Sequence, residues 1–193
     1  MENQNFTPEK SFELINQVIN DAKSKFEENG FIFAFWGVLD AVAAFGQFIL
    51  LKNGYYAINY YPYFLMPLGA IYTVYYYYKK GRGRQNQIGK MLSFVWIAVV
   101  LNIFILGFLL PGILKQQLIP VILILVGIGI IVTAGAIKSR LILYSGIIIN
   151  FAGLACFGLE WIYQPLLLGI VSVVALLIPG IILMVEHKKR QNV

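Results

Sequence analysis

Residues 31–51 read FIFAFWGVLDAVAAFGQFILL, a stretch whose one formal charge is Asp40 and which contains no Lys or Arg. At 1.5 Å per residue a helix of this length is about 30 Å long, the thickness of a hydrocarbon core. Five more apolar stretches follow: Tyr61 to Tyr78, Met91 to Pro111, Leu118 to Ile137, Leu141 to Leu159 and Gln164 to Val185. Each holds about 18 to 22 residues, close to the ~20 that one crossing requires. The reading is an all-α polytopic membrane protein with six transmembrane helices. Residues 1–29 are a cytoplasmic amphipathic helix, 30–186 the transmembrane domain and 187–193 a basic cytoplasmic tail.

The positions of the charges orient it. With the N-terminus cytoplasmic, the connections after the second and fourth spans and the tail fall on the same side. They hold Lys79, Lys80, Arg82, Arg84 and Lys90, then Lys138 and Arg140, then Lys188, Lys189 and Arg190. The opposite side receives Lys52 and Lys115. Ten basic residues against two, all in short loops, place both termini in the cytoplasm of a bacterial inner membrane.

Composition excludes other classes. Hydrophobic residues make up 59% and charged residues 12%, against about 25% charged in an ordinary soluble domain. The net charge of +6 sits in the membrane-flanking clusters, so topology accounts for it and no nucleic-acid partner is expected. The first thirty residues lack the basic stub and short apolar core of a cleavable signal peptide. Cys156 is the single cysteine and lies inside the fifth span, which rules out an intrachain disulfide. With His187 the only histidine, no metal site and no cofactor are expected.

The N-terminal segment reads as one helix. Thr7 suits the N-cap, Pro8 the first helical position and Glu9 the first turn. Phe12, Ile15, Ile19, Ala22 and Phe26 recur at helical spacing and form one apolar face, ended by Asn29 and Gly30. From Pro8 to Glu28 the charges are Lys10, Lys23 and Lys25 against Glu9, Glu13, Asp21, Glu27 and Glu28. A helix made to lie on anionic lipid would be basic. The face therefore docks on the bundle, with its acids toward the Lys79, Lys80, Arg82 and Arg84 cluster, or it meets a cytoplasmic protein partner or a second copy in a homo-oligomer.

A layout recurs along the chain. Pro62, Pro120 and Pro165 open the even-numbered spans, with Gly69, Gly127 and Gly169 following. In the odd spans an aromatic residue precedes a polar one: Trp36 and Asp40, Trp96 and Asn102, Tyr144 and Asn150. This reads as three parallel-oriented hairpins, an internal symmetry of the kind membrane proteins carry. With its amphipathic N-terminal helix, Phe35, Trp36 and Gly37 entering the first span, and six short spans, the chain resembles a group of small uncharacterised bacterial inner-membrane proteins. The hairpin layout is also similar to the HdeD-like short-repeat acid-resistance membrane protein family. These resemblances imply an inner-membrane, six-span protein and carry no catalytic motif.

Asp40 is the residue that stands out. It lies ten residues into the first span, roughly 15 Å from the cytoplasmic edge. A carboxylate there costs about 2.5 to 3.5 kcal/mol on insertion scales, so it faces the bundle and is neutral, paired or wet. Asn102, Asn150, the Trp36 indole and water are its available partners, and Asp40, Asn102 and Asn150 form a candidate intramembrane polar cluster. One reading makes Asp40 interhelical glue; the other makes it a proton or cation site. Glu160 and Glu186 sit at opposite surfaces, and the tyrosines at Tyr55 to Tyr63 and Tyr75 to Tyr78 read as aromatic belts. Pro67 and Pro179 fall inside spans and predict kinks.

No His-Glu-x-x-His helix, phosphate-binding Gly-Lys-Ser loop or Gly-x-Ser-x-Gly elbow occurs, so no catalytic residues are assigned and the chain is read as a non-enzyme. Two functions fit: a non-catalytic accessory or stress-response protein working through its bundle and N-terminal helix, or a small channel or proton- or cation-linked transporter using Asp40. Reporter fusions after Arg84, Arg140 and Val193 are all expected to report the cytoplasm; an external signal from any of them contradicts the topology.

Overall fold

A computed structural model describes residues 12–20, 30–80 and 87–191. Among these residues all regular structure is helical. Residues 12–20 form a helical segment. The helices that follow are α1 (Gly30–Lys52), α2 (Leu65–Lys80), α3 (Gln87–Phe104), α4 (Leu118–Ile137), α5 (Arg140–Cys156), α6 (Gln164–Ser172) and α7 (Ile178–Gln191). Stretches of π-helix, Ile105–Leu109 and Val173–Leu177, extend α3 and join α6 to α7.

Four of the helices are long and apolar enough to cross a membrane: Gly30–Lys52, Gln87–Leu109, Gly112–Ile137 and Gln164–Lys189. The expected second and fifth spans are shorter. α5 has 17 residues. α2 has 16, because a 3-10 turn, Tyr61–Phe64, takes up the start of the stretch. Pro62 in that turn and Pro67 in the first turn of α2 both lack an N–H for a helical ladder, and such positions tolerate the loss. Pro67 therefore opens the helix instead of kinking it. Pro179 has the interior effect: it cannot donate to the Ala175 carbonyl, and the backbone just before it widens to the π pattern. The other π stretch stands at the same offset from Pro111.

Two antiparallel helix pairs form the core. α1 runs against α6 and α7, with Gly37 opposite Leu177, Gly30 opposite Leu183 and Gly169 opposite Phe45. Its contact stripe is Gly30, Ala34, Gly37, Ala41 and Ala44, small residues spaced four, three, four and three apart, all buried. α4 runs against α5, with Gly127 on Asn150, Ile131 on Gly146 and Ile124 on Gly153. The two pairs join where α5 and α4 meet α6, around Ile130, Ile149, Cys156 and Leu168. α2 flanks α1 at one end of this row and α3 flanks α4 at the other. Both flanking helices are mostly exposed.

Small residues set the helix separation, so adding a methyl there forces the backbones apart. A Cβ on Gly37 would stand 2.5 Å from the Leu177 nitrogen, and one on Gly180 would fall on the backbone of Ala34. Gly37→Ala and Gly180→Ala are expected to destabilise by roughly 1 to 3 kcal/mol. Gly135, with nothing near its Cβ position, is expected to gain up to ~1 kcal/mol as Ala through helix propensity. Unfolding in detergent micelles measures all three, and equal effects would show that close approach does not limit the packing.

Candidate functional site

One face of α1 carries every polar group in the interior of that helix. Trp36, Asp40 and Gln47 lie four and seven residues apart, which at about 100° per residue puts them within roughly 40° of one another. Ala43 and Ala44, on the borders of the same face, are 0% exposed, so this face turns into the bundle.

Trp36 and Gln47 each have a hydrogen-bond partner from the segment that follows. The Trp36 indole Nε1 donates to Thr73 Oγ1 at 3.1 Å, and Thr73 donates to the Gly69 carbonyl at 2.8 Å. Gln47 Nε2 donates to Asn59 Oδ1 at 2.8 Å, and Asn59 Nδ2 donates to the Tyr56 carbonyl at 2.5 Å. These bonds fix both amides' orientation and leave Gln47 Oε1 buried without a donor. Tyr63, in the 3-10 turn, brings its ring into electrostatic range of half-buried Asp40. Its hydroxyl is likewise buried and unpartnered.

The Trp–Thr–Gly arrangement occurs twice. Trp96 Nε1 donates to Thr133 Oγ1 at 3.1 Å, and Thr133 donates to the Gly129 carbonyl at 2.8 Å. All three positions are displaced by sixty residues from Trp36, Thr73 and Gly69. The packing repeats as well: the Cβ position of Gly69 points at Leu39 and Trp36, that of Gly129 at Val99 and Trp96. The counterpart of Gly69 is thus Gly129, a correction to the expected Gly127, which instead admits the backbone of Asn150. In this register Asp40 corresponds to Val100, Tyr63 to Leu123, Gln47 to Gly107 and Asn59 to Ile119. The clamp is shared and the polar groups belong to the first pair alone.

Asn102 falls two residues beyond the Asp40 register, which rotates it to another face. It is exposed, and its Nδ2 donates to the Ala98 carbonyl of its own helix at 2.8 Å. Asn150 is half-buried on α5 beside Gly127. Among the described residues no hydrogen bond joins Asp40 to either. Of the N-terminal face, Phe12 and Ile15 are exposed and Ile19 is half-buried; Ala22 and Phe26 lie outside the described residues. Of the basic cluster, Lys79 and Lys80 end α2, and Arg82 and Arg84 lie outside the described residues.

At the Lys52 end of the bundle, Gln47 and Gln164, each 3% exposed, line a cavity of about 20 Å³ with Tyr60, Lys115, Gln116 and Trp161. Gln164 Nε2 is shared between the Cys156 and Leu159 carbonyls, both at 3.4 Å. The Tyr56 and Trp161 rings, 5.8 Å apart, join the loops above it. Lys52 Nζ lies 5.8 Å from the Tyr163 ring centroid and ties the end of α1 to the start of α6.

The place of Tyr63 beside α1 was hidden in the sequence because it is one of five tyrosines between Tyr55 and Tyr63. The signal that exposes it is the sixty-residue register, in which it faces a leucine. No protein-family model, curated protein or solved structure matches this chain.

Replacing either clamp threonine by its isostere valine removes the indole's acceptor. Thr73→Val and Thr133→Val are each expected to cost about 1 kcal/mol, and the two costs to add because the clamps share no partner. Detergent unfolding of the single and double variants checks this; no loss in either single variant would show that the repeated bond is incidental.

Proposed function

We propose that this chain is a six-crossing membrane protein of a bacterial inner membrane. Three antiparallel hairpins place both termini in the cytoplasm, and the first hairpin carries a proton- or cation-accepting site centred on Asp40. The observation that carries this reading is Asp40 on the inward face of α1, in electrostatic range of Tyr63 with its buried, unpartnered hydroxyl, at positions where the second helix pair has Val100 and Leu123. The chain builds the clamped pair without these polar groups, so the fold does not require them. In hydrocarbon they are expensive, and an ionisable residue retained at such depth marks a pathway or site by default. The shorter α2 completes its crossing with the 3-10 turn before it, and α5 reaches about 25 Å.

A second reading, an accessory or stress-response protein acting through a cytoplasmic partner or a second copy, is favoured by the N-terminal helical segment. There Phe12 and Ile15 stay 66% and 56% exposed. The stress-response part of it rests on the layout likeness to the HdeD-like family.

Proteoliposomes loaded with a pH-sensitive dye separate the two. Under the first reading a pH step or a cation gradient drives proton flux through the wild-type chain. Asp40→Asn abolishes that flux while insertion and unfolding stay normal. Tyr63→Phe, which removes a buried hydroxyl without a partner, keeps or raises stability and slows the flux several-fold. Tyr63, in electrostatic range of Asp40 and of Tyr60, is the neighbouring titratable group that the second substitution tests. Flux that survives both substitutions removes the transport reading.

A further inference from the structure

The cavity at the Lys52 end of the bundle has a floor and a rim of different chemistry. The floor is Gln47 and Gln164, each 3% exposed, and the rim is Tyr60, Lys115 and Gln116, all exposed. Gln47 Nε2 is bonded to Asn59, and Gln164 Nε2 to the Cys156 and Leu159 carbonyls. Gln47 Oε1 is buried without a donor, so an occupant resting on Gln47 is held by giving it an N–H or O–H. A volume of about 20 Å³ admits a water or one group of a water's size, such as a hydroxyl.

The rim favours negative charge. Lys115 lines it, and two helices begin there: Leu118 and Ile119 stand in the first turn of α4, and Gln164 opens α6. The first turn of a helix carries a partial positive charge and attracts anions. Among the described residues no Asp or Glu lines the cavity. Glu160, one residue before Trp161, is exposed, and Lys52 on the neighbouring Tyr163 ring offsets it. The depth is also defined. α1, α4 and α6 meet here at their ends, and all three belong to helices long and apolar enough to cross a membrane. In the loop that brings Tyr60 to the rim, Tyr55, Tyr56 and Tyr61 are exposed as well; tyrosines placed so mark the headgroup level of a bilayer.

We propose that this cavity binds an anionic phosphate ester bearing a hydroxyl, the chemistry of a glycerol phosphate lipid headgroup. The hydroxyl enters and donates to Gln47 Oε1, and the phosphate stays at the rim against Lys115 and the two helix starts. A choline headgroup has no donor to offer. An ethanolamine headgroup donates only by bringing a second cation beside Lys115. The site is independent of the transport reading, since neither Asp40 nor Tyr63 lines it, and of which membrane face lies outside.

Its test is a headgroup series on the purified full chain in a non-ionic detergent, with binding read by native mass spectrometry and by the rise in unfolding temperature. Phosphatidylglycerol and phosphatidylmethanol carry the same charge, and only the first has a hydroxyl. Phosphatidylglycerol is expected to bind at least fivefold tighter than phosphatidylmethanol, and at least tenfold tighter than phosphatidylcholine or phosphatidylethanolamine. Gln47→Leu removes the acceptor and is expected to erase the difference between the two anionic lipids. Lys115→Gln, at an exposed position, is expected to weaken both at least threefold and to keep their ratio. Should Gln47→Leu not fold, the wild-type ratio and Lys115→Gln decide the matter. Equal binding of the two anionic lipids, a preference that survives Gln47→Leu, or indifference to Lys115→Gln each overturns the proposal. Soluble glycerol phosphate in tenfold excess distinguishes the source: it is expected to leave bound phosphatidylglycerol in place, and displacement overturns the lipid as occupant and assigns the site to the free ester.

Discussion

The approach of α1 to α6 and α7 is the contact on which the other features depend. Between apolar helices in hydrocarbon there is no hydrophobic gain from association, and the attraction comes from van der Waals contact at short range. Gly30, Ala34, Gly37, Ala41 and Ala44 provide that range by removing side chains from one stripe of α1, and Gly169 and Gly180 do the same opposite. Once this stripe is committed to α6 and α7, the rotation of α1 about its own axis is decided. Trp36, Asp40 and Gln47 must then look into the bundle, and Phe31 and Phe35 must meet Tyr76 and Tyr72 of α2. A methyl added to Gly37 or Gly180 would disturb the polar face as well as the packing.

The second helix pair acts as an internal control. It repeats the indole-to-threonine bond, the threonine-to-glycine bond and the side chain wedged at the glycine, all at a displacement of sixty residues. What holds such a pair together is therefore visible separately from what the first pair adds. The added groups are Asp40, Tyr63, Gln47 and Asn59, two of which keep a buried polar atom without a partner. A buried unpaired hydroxyl or amide oxygen costs about 1 to 3 kcal/mol. The chain bears this cost where its fold has an apolar solution of its own.

How far the sequence was legible follows from the range of each signal. Helix positions were readable because apolar length and charge-free runs are local: Leu118 to Ile137 matches α4 end for end, and the first stretch differs from α1 by one residue at each side. The start of α2 was not, since whether Pro62 and Pro67 open or kink a helix depends on where the preceding turn begins. Asp40 was recognisable from its depth alone as an acid in the middle of the first helix. Its neighbour was not: Asn102 and Asn150 matched it in depth but not in rotation, and depth says nothing about which face of a helix meets which partner.

The amino-acid sequence by itself determined that this chain is helical and apolar, where its helices run, and that one carboxylate lies in the middle of the first, because these properties depend on composition and on contacts a few residues apart. Only the tertiary structure decided that Tyr63 comes within electrostatic range of Asp40, that Gly129 and not Gly127 repeats Gly69, and that Gln47 and Gln164, separated by more than a hundred residues, line one cavity. Those facts depend on the rotation of each helix about its axis. That rotation is set by small-residue stripes on helices far apart in the chain, which no local pattern records.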